Sequence, residues 1–175
     1  MTAHTERRLD RVLSADLDLR RLTTARLRAC RAEAIAEEAD LSYLRRLLHG
    51  RIDIIAAELT ARADGDSSPL IGRLIEILAD HSTPRQVSAR YQPIDRARAG
   101  EYRQAMEASL GDLDLPDLAS CPAARLHEVA DRLSRHEREI SALRRTVQQV
   151  VDAYAAELAR RYREGEATVD ELLAE

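Results

Sequence analysis

A five-position polar pattern occurs twice in this chain, and its spacing suits little besides an α-helix. The first copy is Glu38, Ser42, Arg45, His49 and Asp53; the second is Glu137, Ser141, Arg144, Gln148 and Asp152. Both spell E-x3-S-x2-R-x3-[Q/H]-x3-D. Steps of four, three, four and four residues keep side chains on one helical face, because a turn takes about 3.6 residues. Each copy is therefore a line of hydrogen-bonding groups drawn along one rod. Two such lines in one chain point to two half-sites facing one symmetric ligand.

The aliphatic periodicity around each line agrees. From Thr24 to Arg62 runs an unbroken helical pattern whose apolar stripe is Leu41, Leu44, Leu48, Ile52, Ile55 and Leu59, close to a coiled-coil seam. At 1.5 Å per residue this predicts a rod of about 58 Å. The second rod spans 122–164, with the stripe Leu126, Val129, Leu133, Ile140, Leu143, Val147, Val151, Tyr154 and Leu158. Turn chemistry at Asp64-Gly65-Asp66-Ser67-Ser68-Pro69 stops the first rod. Ser120 or Cys121 is the expected cap of the second, with Pro122 in its first turn. The 64–121 connection carries short helices near 70–80 and 95–110, with prolines between. Residues 1–20 read as a flexible or short helical segment. In the tail 165–175, Thr168 with Glu171 looks like a capping box. The expected fold is all-α: a single domain built on an antiparallel two-helix coiled coil of long helices, with short connecting helices.

Composition narrows the function. There is no Trp or Phe among the 175 residues, so Leu, Ala, Ile and Val supply the core. Charged residues make up 33% of the chain and the formal charge is -4. That balance argues against direct binding of duplex DNA, which needs a net basic surface. No apolar run is long enough to span a bilayer and the first residues lack a secretory h-region, so a cytoplasmic protein is expected. Cys30 and Cys121 have no metal-like spacing and are expected as free thiols. No Glu stands three residues before any of His49, His81, His127 and His136, which removes the di-iron bundle signature, and neither HE pair extends to a zinc motif. The chain reads as a non-enzyme with no metal.

The repeat extends beyond the signature. Leu44/Leu143, Arg46/Arg145, Ala56/Ala155, Ala57/Ala156, Glu58/Glu157 and Leu59/Leu158 are identical, and Leu41/Ile140 and Ile52/Val151 are conservative. In both copies each of the last four polar positions follows a seam residue by one, so the two lines flank the seam at the same angle. Antiparallel packing then relates them by an approximate two-fold axis. Charged residues beside a coiled-coil seam are often no more than solvated ion pairs. Repetition of Ser and Gln/His at fixed places, which a seam does not need, favours a ligand. Gly50 in the first copy is an equal choice between ligand approach and relief of crowding. Arginine forks grip guanine O6 and N7 or phosphate, and carboxylates accept the N1-H and N2-H donors of guanine. A two-fold ligand with guanines and phosphates, such as cyclic di-GMP, would satisfy both copies.

At these ten residues the chain resembles the RsiG family, cyclic di-GMP-dependent anti-sigma factors of sporulating actinobacteria. That family is marked by two copies of E-x3-S-x2-R-x3-Q-x3-D on the helices of an antiparallel coiled coil. The one departure here is His49 in place of Gln. The resemblance implies a clamp that binds a dimer of cyclic di-GMP between its signature helices and, so loaded, sequesters a sporulation sigma factor of the WhiG type, repressing its targets. Carried over, Arg45 and Arg144 engage guanine or phosphate. Glu38, Glu137, Asp53 and Asp152 accept from guanine edges, and Ser42, Ser141, His49 and Gln148 complete the network. Arg46 and Arg145 lie outside the signature and fit a solvated face. The alternative is a structural coiled-coil adaptor without a nucleotide.

Overall fold

The computed structural model describes Asp10, Val12, residues 19–65, Gly72, Leu118 and residues 120–167. The connecting helices expected near 70–80 and 95–110, the capping box at Thr168 and Glu171, and most of the N-terminal segment lie outside these residues. A 3-10 turn at Leu19–Arg21 leads into helix α1, Thr24–Asp64, and the second long helix, α2, is Ala123–Glu164. The described residues contain no strand. The chain is an all-α hairpin of two long helices packed along their length.

The pairing is antiparallel. Contacts between α1 and α2 join Arg28 to Tyr162, Glu38 to Arg144 and Gln148, and His49 to Glu137, so numbers rise on one helix as they fall on the other. Helices this long form because burial of their stripes supplies what propensity alone does not. Leu27, Leu41 and Leu48 of α1 and Leu126, Val129, Leu133 and Val147 of α2 are almost fully buried. Each such side chain contributes about 1.5–3 kcal/mol through removal from water.

The ends follow local chemistry. At the start of α1, Thr23 adopts an extended backbone and its hydroxyl accepts from the Arg26 amide at 3.2 Å. At its other end Gly65 takes φ 70, and its amide donates to the carbonyls of Ala61 and Arg62. Gly165 plays the same part for α2 with φ 73. The left-handed conformation costs glycine nothing, which is why it stops helices. The start of α2 departs from the cap expected there. Neither Ser120 nor Cys121 caps it, and Pro122 is not in its first turn. Pro122 is itself the N-cap, and its carbonyl accepts from Arg125 and Leu126 at 2.9 and 3.1 Å. Proline satisfies the backbone side of a cap with its carbonyl and has no side-chain oxygen to offer.

One displacement, the one that carries Glu38 to Glu137, superposes most of this anatomy on itself. It carries the cap Thr23 to the cap Pro122 and the 3-10 turn at Leu19–Arg21 to Leu118 and Ser120, which have the same 3-10 geometry. It also carries Leu27 to Leu126, both fully buried. The hairpin is thus two copies of one helical unit related by an approximate two-fold axis through the middle of the rods.

Candidate functional site

Near that axis the two polar lines meet. Ser42, Arg45 and His49 flank the buried Leu41, Leu44 and Leu48, and they are themselves half-buried. Ser141, Arg144 and Gln148 take the matching places on α2 and are also half-buried. Antiparallel packing sets the glutamate that starts each line opposite the fourth position of the other. The result is two clusters, each centred on one glutamate oxygen.

In the first cluster, Glu38 Oε1 accepts from Ser42 Oγ at 2.9 Å, from Arg144 Nη1 at 3.0 Å and from Gln148 Nε2 at 3.2 Å. In the second, Glu137 Oε1 accepts from Ser141 Oγ at 2.6 Å and lies 3.0 Å from His49 Nε2. The serine contacts are steps within one helix; the Gln148 and His49 contacts cross between helices. They are two-fold mates of each other. The arginines break the symmetry. Arg144 crosses to Glu38, whereas Arg45 Nη1 stays on its own helix, 3.2 Å from His49 Nε2. The Ser141 hydroxyl, followed by His49 and Arg45, holds the Glu137 carboxyl below the ordinary carboxylate range against the opposing pull of burial.

Eight of the ten signature residues are therefore drawn together in two clusters. Asp53 and Asp152 continue the lines one turn further on, and they differ: Asp53 is half-buried and Asp152 exposed. Arg46 and Arg145 are both exposed, as a solvated face requires. Two donors in the site have no acceptor. The Nε atoms of Arg45 and Arg144 are buried and without a hydrogen-bond partner. They occupy the same signature position, one on each helix. A buried guanidinium N–H without an acceptor costs free energy unless something else accepts from it.

A second pair of residues was not singled out from the sequence. Arg62 lies one turn after Glu58 and Arg161 one turn after Glu157, so both belong to the repeat. Arg62 Nε donates to Glu58 at 2.8 Å, while its two Nη atoms donate to the carbonyls of Cys121 and Leu118 at 2.6 and 2.5 Å. Arg161 Nε donates to Glu157 at 2.9 Å, and its Nη2 reaches the carbonyls of Leu19 and Arg20 at 2.9 and 3.3 Å. Each arginine ties the C-terminal end of one helix to the segment that opens the other. These clasps close both ends of the hairpin and fix the register in which the polar lines face each other. Extending the repeat a few residues past Leu59 and Leu158 would have found them.

Among the described residues, no helix is long and apolar enough to cross a membrane. A comparison with curated proteins finds no match. The RsiG-like family matches residues 14–78 and 112–175, which takes in both helices and every residue of both clusters. That match covers well over half of the sequence, and the chain belongs to the RsiG-like family.

Proposed function

We propose that the chain is a cyclic di-GMP-binding anti-sigma factor that sequesters a sporulation sigma factor of the WhiG type while loaded with nucleotide. Membership of the RsiG-like family carries the coarser part, a regulatory protein of anti-sigma-factor type. The finer part rests on one observation: the two signature lines face each other across an approximate two-fold axis, with a buried, unpartnered arginine Nε on each side. A ligand with two equivalent halves and acceptors at matching places meets both arginines alike.

The residue types fit this ligand. Guanine presents O6 and N7 to an arginine fork and N1-H and N2-H to a carboxylate, so a line holding both charges suits it better than a simple phosphate. Arg45 and Arg144 would hold guanine or phosphate, Glu38, Glu137, Asp53 and Asp152 would accept from guanine edges, and Ser42, Ser141, His49 and Gln148 would complete the network. The protein's contribution is positional. The seam leucines and the arginine clasps hold the two lines at a fixed spacing, so the backbone of the site is arranged before any ligand arrives. Coupling to the sigma factor is reciprocal: if nucleotide tightens sigma capture, sigma tightens nucleotide binding by the same factor.

The test is a pull-down of the sigma factor by the full chain with cyclic di-GMP, with cyclic di-AMP and with neither. Capture should rise with cyclic di-GMP alone, because adenine presents the wrong donors. Capture indifferent to nucleotide would remove the switch, and equal stimulation by cyclic di-AMP would remove the guanine-reading role of the carboxylates.

A further inference from the structure

The fourth signature position is the only one of the five that differs between the copies, and the difference lies at the centre of the site. Gln148 Nε2 is a permanent donor, and with Ser42 and Arg144 it gives to one oxygen of Glu38. None of the three donors in that cluster depends on a tautomer. His49 Nε2, by contrast, has two neighbours with opposite demands. Glu137 Oε1 at 3.0 Å needs a proton on that nitrogen, and Arg45 Nη1 at 3.2 Å needs its lone pair. A ring nitrogen carries one or the other, so the two contacts exclude each other.

We infer that His49 makes the first half-site proton-gated and leaves the second indifferent to pH. With Nε2 protonated, His49 donates to Glu137, and Arg45 loses its acceptor and turns to the ligand. With Nε2 bare, Arg45 donates to the imidazole and is withdrawn from the ligand. Full protonation of the ring makes release obligatory, because the lone pair is gone and two cations then stand side by side. The ionisable groups in contact with His49 are Arg45 on its own helix and Glu137 on α2, and Asp53 follows one helical turn on. The imidazole is partly open, with 45% of its side-chain surface exposed, so protons have access to it. Histidine ordinarily titrates near pH 6.5. The ligand competes with the bare-Nε2 tautomer for Arg45; the charged ring cannot adopt that tautomer, so acid, which removes it altogether, favours binding.

The regulatory consequence rests on the cyclic di-GMP reading, while the exclusive contact at His49 does not. Two measurements on the full chain therefore separate them. The first follows the His49 ring nitrogens by NMR against pH without nucleotide. Arg45→Ala should raise the midpoint, since a competing cation is removed, and Glu137→Gln should lower it, since the negative charge that favours the imidazolium is removed while an acceptor oxygen stays. Midpoints unmoved by either substitution would overturn the inference. The second measures cyclic di-GMP affinity at about pH 6 and about pH 8 for wild type and His49→Gln, which copies the residue of the other half. Wild-type affinity should fall several-fold on going to the higher pH, within the ceiling of roughly tenfold per pH unit set by one linked proton. His49→Gln should show none of that fall. The same pH dependence in both proteins would overturn the inference, whereas absence of binding by both at either pH would overturn the functional reading and leave the NMR midpoints to decide the contact.

Discussion

The two halves of the hairpin carry nearly the same signature and live in different surroundings. On α1 the seam around the signature is buried almost completely at Leu41, Leu44 and Leu48, and the adjacent pair Ile54 and Ile55 is buried as well. Consecutive buried residues point away from a single seam, so α1 is covered on more than one side. On α2 the mates Ile140 and Leu143 are only half-buried, while Val147 and Tyr154 are inside. The polar groups follow suit: Asp53 is half-buried and Asp152 exposed, Arg45 stays on its own helix and Arg144 crosses over. The ends differ too. Arg160, bonded to Glu157, Glu164 and Glu166, adds an ion network at the end of α2, where α1 has the buried Ala61. A repeat in sequence thus sets the same backbone and the same list of groups twice, while burial decides what each group does.

The core offers the sharpest way to break this comparison. Leu41 and its mate Ile140 occupy the same place in the repeat, one fully buried and one half-exposed. Leu41→Ala should cost about 2–5 kcal/mol, from lost transfer and the cavity left behind. Ile140→Ala, with less surface to return to water, should cost about 1 kcal/mol. Urea unfolding of the two variants decides it, and equal losses would mean that the two halves are equally packed.

A smaller effect belongs to the clasp at the end of α2. Hydrogen bonds from Arg160, then from Arg161, hold the Glu157 carboxyl down to about 2, against an ordinary 4.5. A depressed carboxylate stabilises the fold at pH values above its unfolded pKa. That stabilisation disappears as pH falls from about 4.5 toward about 2, where the folded carboxyl takes its proton. Thermal melts of Glu157→Gln across that window should show a flatter acid limb than wild type, from a lower plateau above it. Parallel curves would place the acid sensitivity elsewhere.

Much of this was legible in the residues. The four-three-four-four spacing named the helices and the polar face, and the antiparallel pairing was favoured over a parallel one, which the long 64–121 connection also allows, for the two-fold relation it creates between the lines. What escaped depended on contacts distant in sequence. Arg62 and Arg161 look like ordinary i, i+4 partners of Glu58 and Glu157; their second role, donating to carbonyls at the start of the opposite helix, emerges only once the rods are paired. Ile54 falls off the stripe by one position, and its burial reflects a surface that periodicity within one helix does not report. The cap of α2 was misplaced because a side-chain oxygen was sought where a proline carbonyl suffices. The arginine asymmetry is likewise invisible in two identical letters.

The central claim is that the two lines form one groove for one two-fold ligand, and a calorimetric titration of the full chain with cyclic di-GMP measures it most directly. Wild type should bind a nucleotide dimer, about two molecules per chain, and Arg45→Ala and Arg144→Ala should each lose binding as a whole while keeping wild-type helical content, since removing a charge-assisted bidentate partner from a shared site leaves no intact half. If either variant still binds with wild-type affinity, or keeps half the stoichiometry undisturbed, the lines are separate and the shared groove does not exist.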